Sequence, residues 1–145
     1  MADQRTQDEA EIRRILEDWR DALHAKDAEA LLAHAAPDLL SFDLAPPLAT
    51  RGPDLAGAEA WLATWEGPIE HEVHGLSIEL ADGLAFSTSL NRMRGTKTDG
   101  ERVDLWVRAT VGYRKVAGRW MVVHEHVSVP FHMDGSQKAA LDLEP

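Results

Sequence analysis

Three groups of side chains in this chain have the chemistry to move a proton, grip an anion or hold a metal. The octet "HEHVSVPF", residues 124–131, has the branched and aromatic residues of a buried strand, yet it opens with His124, Glu125 and His126. An H-x-H on a strand sets two imidazoles side by side for a metal. A third ligand would have to come from His71, His74 or His132, and none stands at a spacing specific for one. The weightier reading of the two histidines is structural: they hydrogen-bond to neighbours such as Ser128 or Tyr113 on a half-buried sheet face, or sit in a contact between subunits. Glu125 has a potential partner in Arg108, a guanidinium that can grip a carboxylate, enolate or phenolate while Glu125 steers it or serves as a second acid-base group. The same two residues equally make a satisfied buried ion pair. Asp43 closes the run "LLSFD" ahead of Leu44-Ala45-Pro46-Pro47. At the mouth of an apolar pocket its pKa would be raised and it could shuttle a proton; as a turn residue it would cap backbone amides.

These groups need elements to position them. Between Thr6 and Ala25 apolar residues recur with a helical period at Ala10, Ile12, Ile15, Leu16, Trp19, Ala22 and Leu23. Asp27 is placed to cap a second, shorter helix that Pro37 stops, and a third is predicted from Pro53 to Trp65, ended by Gly67-Pro68. "DLLSFDL" reads as a short strand. Beyond Pro68 the texture changes to long strands broken at Asp82-Gly83, Asp99-Gly100 and Ala117-Gly118, a four-stranded antiparallel meander. Three helices followed by such strands make an α+β domain in which a curved sheet wraps helices. One domain, 1–145, is expected, with a core over about 6–132 and a polar, loosely held tail over 133–145.

With a two-residue turn at Ala117-Gly118 and constant register, Thr110 faces Glu125, Arg108 faces Val127 and Trp106 faces Val129. Those side chains and Val123 then share one face, while Val107, Ala109, Val111 and Tyr113 share the other with Ser128, His126, His124 and Val122. A bulge would exchange the partners. Both faces are largely apolar, and the helices cover only one, so a second copy of the chain is expected on the outer face. Of the five tryptophans, Trp61, Trp65 and Trp120 are assigned to the core and Trp106 to the pocket by its face.

The bulk composition excludes several partners. With 25 acidic and 15 basic side chains the formal charge is −10, which opposes binding to nucleic acid or anionic lipid. No cysteine is present, so disulfide and thiolate chemistry are out. "MADQRTQDEAEIRR" lacks an apolar signal region and no run has the length of a membrane span, which gives a cytoplasmic location as the expectation.

Trp19 followed by "AKDAEALLAHAAPDLLSFD", then "PPL" and Gly52, then "RATVGYRKVAGRWMVVHEHVSVPF" resemble the nuclear transport factor two-like superfamily, and within it the SnoaL-like and ketosteroid isomerase-like bacterial branch. The resemblance spans Glu9 to Phe131. It implies a cone-shaped roll, three N-terminal helices on a strongly curved, mostly antiparallel sheet with a central pocket, usually packed as a dimer. It puts Asp43 where ketosteroid isomerases carry their general-base aspartate, Trp19 where they carry an oxyanion-hole tyrosine, and Thr110 where they carry a protonated aspartic acid. Two strong donors are thus replaced, which argues against the same steroid reaction. The superfamily holds isomerases, dehydratases, cyclases, hydrolases and non-catalytic modules, so fold does not name the activity. The reading that follows is a small-molecule-binding protein in which Asp43 is general base for cofactor-independent proton transfer on an apolar carbonyl- or hydroxyl-bearing substrate. Glu125 would assist, and Trp19, Trp106, Arg108, Thr110, Val123 and Val127 would line the pocket. The alternative is a non-catalytic binding or dimerisation module, since the residues around Trp120 and the H-x-H also resemble the association domain of calcium/calmodulin-dependent kinase.

Overall fold

The computed structural model describes residues 3–145; Met1 and Ala2, the first two residues of the expected domain, lie outside the described residues. Helix α1 (Gln4–Ala25) buries the stripe Ile12, Ile15, Leu16, Ala22 and Leu23. It starts where the Asp3 carboxylate accepts the Thr6 N–H at 2.8 Å, and ends at Lys26, whose φ of 54° turns the chain out of the helix. Helix α2 (Ala28–Leu31), capped by Asp27, is a single turn and stops short of Pro37. Ala35, Ala36 and Pro37 already belong to strand β1 (Ala35–Phe42), and Pro37 falls where the pairing of that strand is irregular, so its missing N–H costs no ladder bond.

Strand β2 (Thr50–Arg51) is a two-residue edge on β1. Helix α3 (Leu55–Leu62) is capped by Asp54, which accepts the Gly57 N–H at 3.0 Å. It is shorter than its sequence pattern predicts, because Trp65 opens strand β3 (Trp65–Ala81) and Gly67-Pro68 sit in an irregularity of that strand rather than ending the helix. Strands β4 (Leu84–Lys97), β5 (Arg102–Val116) and β6 (Arg119–Ser128) complete the meander. The last turn is tight: Ala117 and Gly118 both have positive φ, 50° and 80°, as a two-residue hairpin loop requires.

The six strands form one mostly antiparallel sheet in the order β2-β1-β6-β5-β4-β3, with β1 parallel to β6. The helices lie on its concave face, so the α+β roll expected from the sequence is the observed architecture. Ile12 and Ile15 of α1 pack on Leu39, Val111, Tyr113, Trp120 and Val122, and a second cluster joins Leu23, Ala28, Leu62, Trp65 and Ile69. The tail, expected to be loose, turns back on itself: Phe131 bridges Ala139, the Ala140 N–H donates to the Pro130 carbonyl at 2.8 Å, and Ala140 is buried. No helix of the described residues is long and apolar enough to cross a membrane.

One departure from constant register decides what the sheet presents. From the Ala117-Gly118 turn the pairing runs as predicted up to Tyr113 opposite Val122. Val123 is then an extra residue, and beyond it Gly112 faces His124, Val111 faces Glu125 and Thr110 faces His126. Gly112 faces His124 at this point, where an added Cβ would come to ordinary contact distance, 3.4 Å from the His124 Cβ. The register-derived grouping of Glu125 with Thr110, Arg108 and Trp106 is therefore wrong. Glu125 joins Val111 and Tyr113 under the helices, while Trp106, Arg108 and Thr110 turn to the outer face with His124 and His126.

Helix and hairpin are joined by two carboxylates of α1. Asp8 accepts the indole N–H of Trp120 at 3.0 Å and the Lys115 ammonium at 2.9 Å, and Glu11 accepts the Trp120 backbone N–H at 3.2 Å. Trp120 is fully buried, so removing the acceptor strands its donor. Asp8→Ala is expected to destabilise the fold by about 1–3 kcal/mol in urea melts, and most of that loss should vanish in a Trp120→Phe background.

Candidate functional site

The concave face gathers polar groups at its β1–β6 side. Ser41 and Glu125 are paired across these parallel strands, and the Ser41 hydroxyl donates to Glu125 Oε1 at 3.1 Å. No lysine or arginine among the described residues forms an ion pair with Glu125. Burial pushes its carboxyl up to about 7; the Ser41 hydrogen bond acts the other way, and the charge of Asp43 adds to the rise. Asp43 lies just past the end of β1, two residues beyond Ser41, and near enough for its charge to act on Glu125. It stays reachable from solvent, yet enough protein surrounds it for desolvation to raise its pKa above the ordinary carboxylate value.

Further across the sheet, the buried Ser87 hydroxyl and the Tyr113 hydroxyl share a hydrogen bond of 2.8 Å. Burial raises Tyr113 to about 12, opposed by the Ser87 bond and helped by the Glu125 charge, so the phenol keeps its proton. Ser89 donates to Asn91 Oδ1 at 2.8 Å, which leaves the amide N–H groups of buried Asn91 without a protein partner among the described residues. His71 faces the same side from β3, paired with Met93. Desolvation lowers its pKa, against an opposing effect of Glu72, so the ring is neutral at pH 7, and its Nδ1 is buried with no partner. Ser87, Ser89 and Ala109 keep the middle of this face small. Beyond the end of β1, a crevice of about 520 Å³ is lined by residues including Asp43, Leu44, Leu48, His126, Val127 and Val129.

Of the residues expected in the site, Asp43, Glu125 and Val127 lie on the concave side and Asp43 and Val127 border the crevice. The others are elsewhere. Arg108 is exposed on the outer face, where its Nε donates to Ser128 Oγ at 3.1 Å rather than to Glu125. Thr110 is opposite His126 on that face. Trp106 is outside as well, with the His74 ring at 4.8 Å and the Arg92 guanidinium at 5.8 Å from its centroid. Val123 is the bulge residue. Trp19 packs against the α1 core, but its indole N–H is taken by the Leu31 carbonyl at 2.9 Å and is not free for a ligand oxygen. The His124 Nδ1–H donates to the Leu40 carbonyl at 2.7 Å, and both imidazoles meet Phe42 edge-on. Among the described residues no three His, Asp or Glu side chains converge as a metal site.

Ser41, His71, Ser87, Ser89, Asn91 and Tyr113 were not singled out for the concave side by the sequence. A signal existed in "FSTSLN", residues 86–91, where polar residues at odd positions alternate with Phe86, Thr88 and Leu90. On β4 the pattern is inverted, with the polar set facing in.

The family model of the SnoaL-like domain matches residues 12–132. The chain belongs to the SnoaL-like family. Among solved structures, this SnoaL-like protein is similar to a nuclear transport factor two-like protein of unknown function from Pseudomonas putida, at 37% identity and a TM-score of 0.85 over 97% of this chain and 98% of that one. It shares its fold with a putative calcium/calmodulin-dependent protein kinase II association domain from Xanthomonas campestris, at 19% identity and a TM-score of 0.70 over 81% and 84% of the two chains. A putative dehydratase from Streptomyces avermitilis also shares it, at 16% identity and 0.73 over 85% and 96%. No functionally curated protein matches.

A carboxyl whose pKa rises on folding costs stability wherever it is ionised. Below the unfolded value near 4.5 that penalty is absent; it grows as pH rises and is complete above the folded value of about 7. Glu125→Gln is therefore expected to raise stability by roughly 2–3 kcal/mol at pH 8 and to change it little at pH 4, read from urea melts at the two pH values.

Proposed function

We propose that this SnoaL-like protein binds an apolar small molecule carrying a carbonyl or hydroxyl group at the concave face, and that Asp43 is the general base for a proton transfer of the isomerase, dehydratase or cyclase type. The observation that carries this reading is the pair formed by Asp43 and Glu125: two carboxyls with raised pKa values on one side of the sheet, beside a crevice and without a compensating cation. Asp43 stands at the rim, where it can take a proton from carbon and return it. Glu125, one pleat position inward, is the second acid-base group and meets the polar end of the substrate. The free amide donors of Asn91 supply the hydrogen bonds that Arg108 and Thr110, turned outward, cannot. Neutral His71 adds a further polar group from β3. The fold shared with a putative dehydratase is compatible with this chemistry.

The base assignment can be tested without the natural substrate, through exchange of the acidic C–H protons of 2-tetralone in D₂O followed by NMR. Exchange above background should rise with pH as Asp43 ionises and fall at least about 100-fold in Asp43→Asn. An unchanged rate in that variant removes Asp43 from the chemistry.

The outer face carries a second reading, assembly. Phe86 and Leu90 are 48% and 40% exposed there, close to Trp106, Phe42 and the H-x-H imidazoles, and a second copy of the chain would cover them. On this reading the wild type sediments as a dimer, and Leu90→Asp shifts it to monomer with the far-UV spectrum intact; a wild-type monomer at tens of micromolar rejects it.

A further inference from the structure

We infer that the molecule bound at this site is an apolar amine, held through its ammonium group by Glu125, and that acids of the same shape are refused. The inference rests on the reading of the concave face as a binding site and deepens it: the substrate class becomes amine-bearing carbonyl or hydroxyl compounds. Glu125 Oε1 is held by Ser41, while Oε2 has no protein partner among the described residues, and Asp43 adds a second carboxyl along the same face. The cation that sequence register would have placed here, Arg108, is turned away by the bulge.

Three lysines reach the helix side of the sheet, and each is committed elsewhere. Lys26 donates to the Trp65 carbonyl at 2.9 Å, Lys97 stands 4.0 Å above the Trp65 ring, and Lys115 is bound to Asp8 at 2.9 Å. The remaining polar groups of the face, the Asn91 amide and the neutral His71 ring, carry no charge. A ligand therefore meets negative charge with nothing to neutralise it.

Energetics favour the same class. The cost of taking Glu125 out of water is met on folding, so an ammonium group has only its own desolvation to offset when it pairs with the carboxylate. A carboxylate ligand would instead bring a third negative group into a low-dielectric face, where repulsion at contact distance is several times stronger than in water. The proton that Glu125 holds near neutral pH leaves to solvent as the ammonium arrives. Amine binding should therefore strengthen as pH rises through about 7, the value at which burial holds this carboxyl.

A matched series tests this on the full chain: 2-naphthylmethylamine, 2-naphthylmethanol and 2-naphthoate, titrated calorimetrically and mapped by NMR. At pH 7.5 the amine should bind at least tenfold more tightly than the alcohol, with no binding of the acid, and its Kd should fall several-fold between pH 6 and pH 8. Glu125→Gln should remove the amine's advantage over the alcohol, and Asp43→Asn should reduce it. The inference is overturned if the acid binds as tightly as the amine, if the advantage survives Glu125→Gln, or if none of the three binds. Binding of the alcohol with no preference for the amine sinks charge selection and leaves the Asp43 chemistry standing. An amine preference alongside tetralone exchange unaffected by Asp43→Asn does the reverse.

Discussion

A single extra residue, Val123, sets the chemistry of the concave face. Before it, β6 follows the register that the Ala117-Gly118 turn imposes; after it, every side chain to Ser128 has changed sides relative to β5. Because a strand alternates with period two, a shift of one residue exchanges whole faces rather than moving one group. Glu125 is brought under α1, and Trp106, Arg108 and Thr110 are sent outward together. On the facing strand the register changes between Gly112, opposite His124, and Tyr113, opposite Val122. Bulges concentrate near functional sites because they re-aim side chains in this way.

The half-buried carboxyl that results is a cost to the fold at neutral pH. It has one hydroxyl for a partner and a second carboxyl for a neighbour, an arrangement that a protein selected for stability alone would replace with an apolar or amide side chain. Elsewhere the same chain handles charge conventionally: Asp8 is answered by Lys115 and Trp120, and Asp104 by a bidentate Arg92 with both contacts at 2.8 Å. The contrast between answered charges at the periphery and an unanswered one on the helix side of the sheet is what supports the proposal of a site on the concave face.

The architecture was legible because its signals are long-range and redundant. The helical period of α1, the turn dipeptides at Asp82-Gly83 and Ala117-Gly118, and the landmarks from Trp19 to Phe131 agree on one roll. What failed was short-range. The second helix was overextended because Ala35 and Ala36 suit either conformation and Pro37 looked like its stop, whereas a proline is harmless where β1 leaves the ladder irregular. In the site, Asp43 was proposed from the family resemblance alone, and the alternation of Glu125 with its flanking histidines followed from pleating, but the partners of Glu125 did not. A bulge opposite a glycine has no strong sequence signature, since Gly112 reads equally as a weak point in a strand. Trp19, expected to line the pocket, has its N–H satisfied by Leu31, a contact between helices that no sequence spacing records.

The Asp8–Trp120 contact joins residues 112 positions apart, so the covering helix leaves the ribosome well ahead of the strand it docks against. Until that strand emerges, the apolar stripe of α1 has no permanent floor and the early strands have no partner for their final edge. Closing so long a loop makes folding slow relative to a helical bundle of equal size. During that delay the half-made cone is exposed to chaperones and to aggregation, and its interior is shaped only once the last strand of the sheet has emerged.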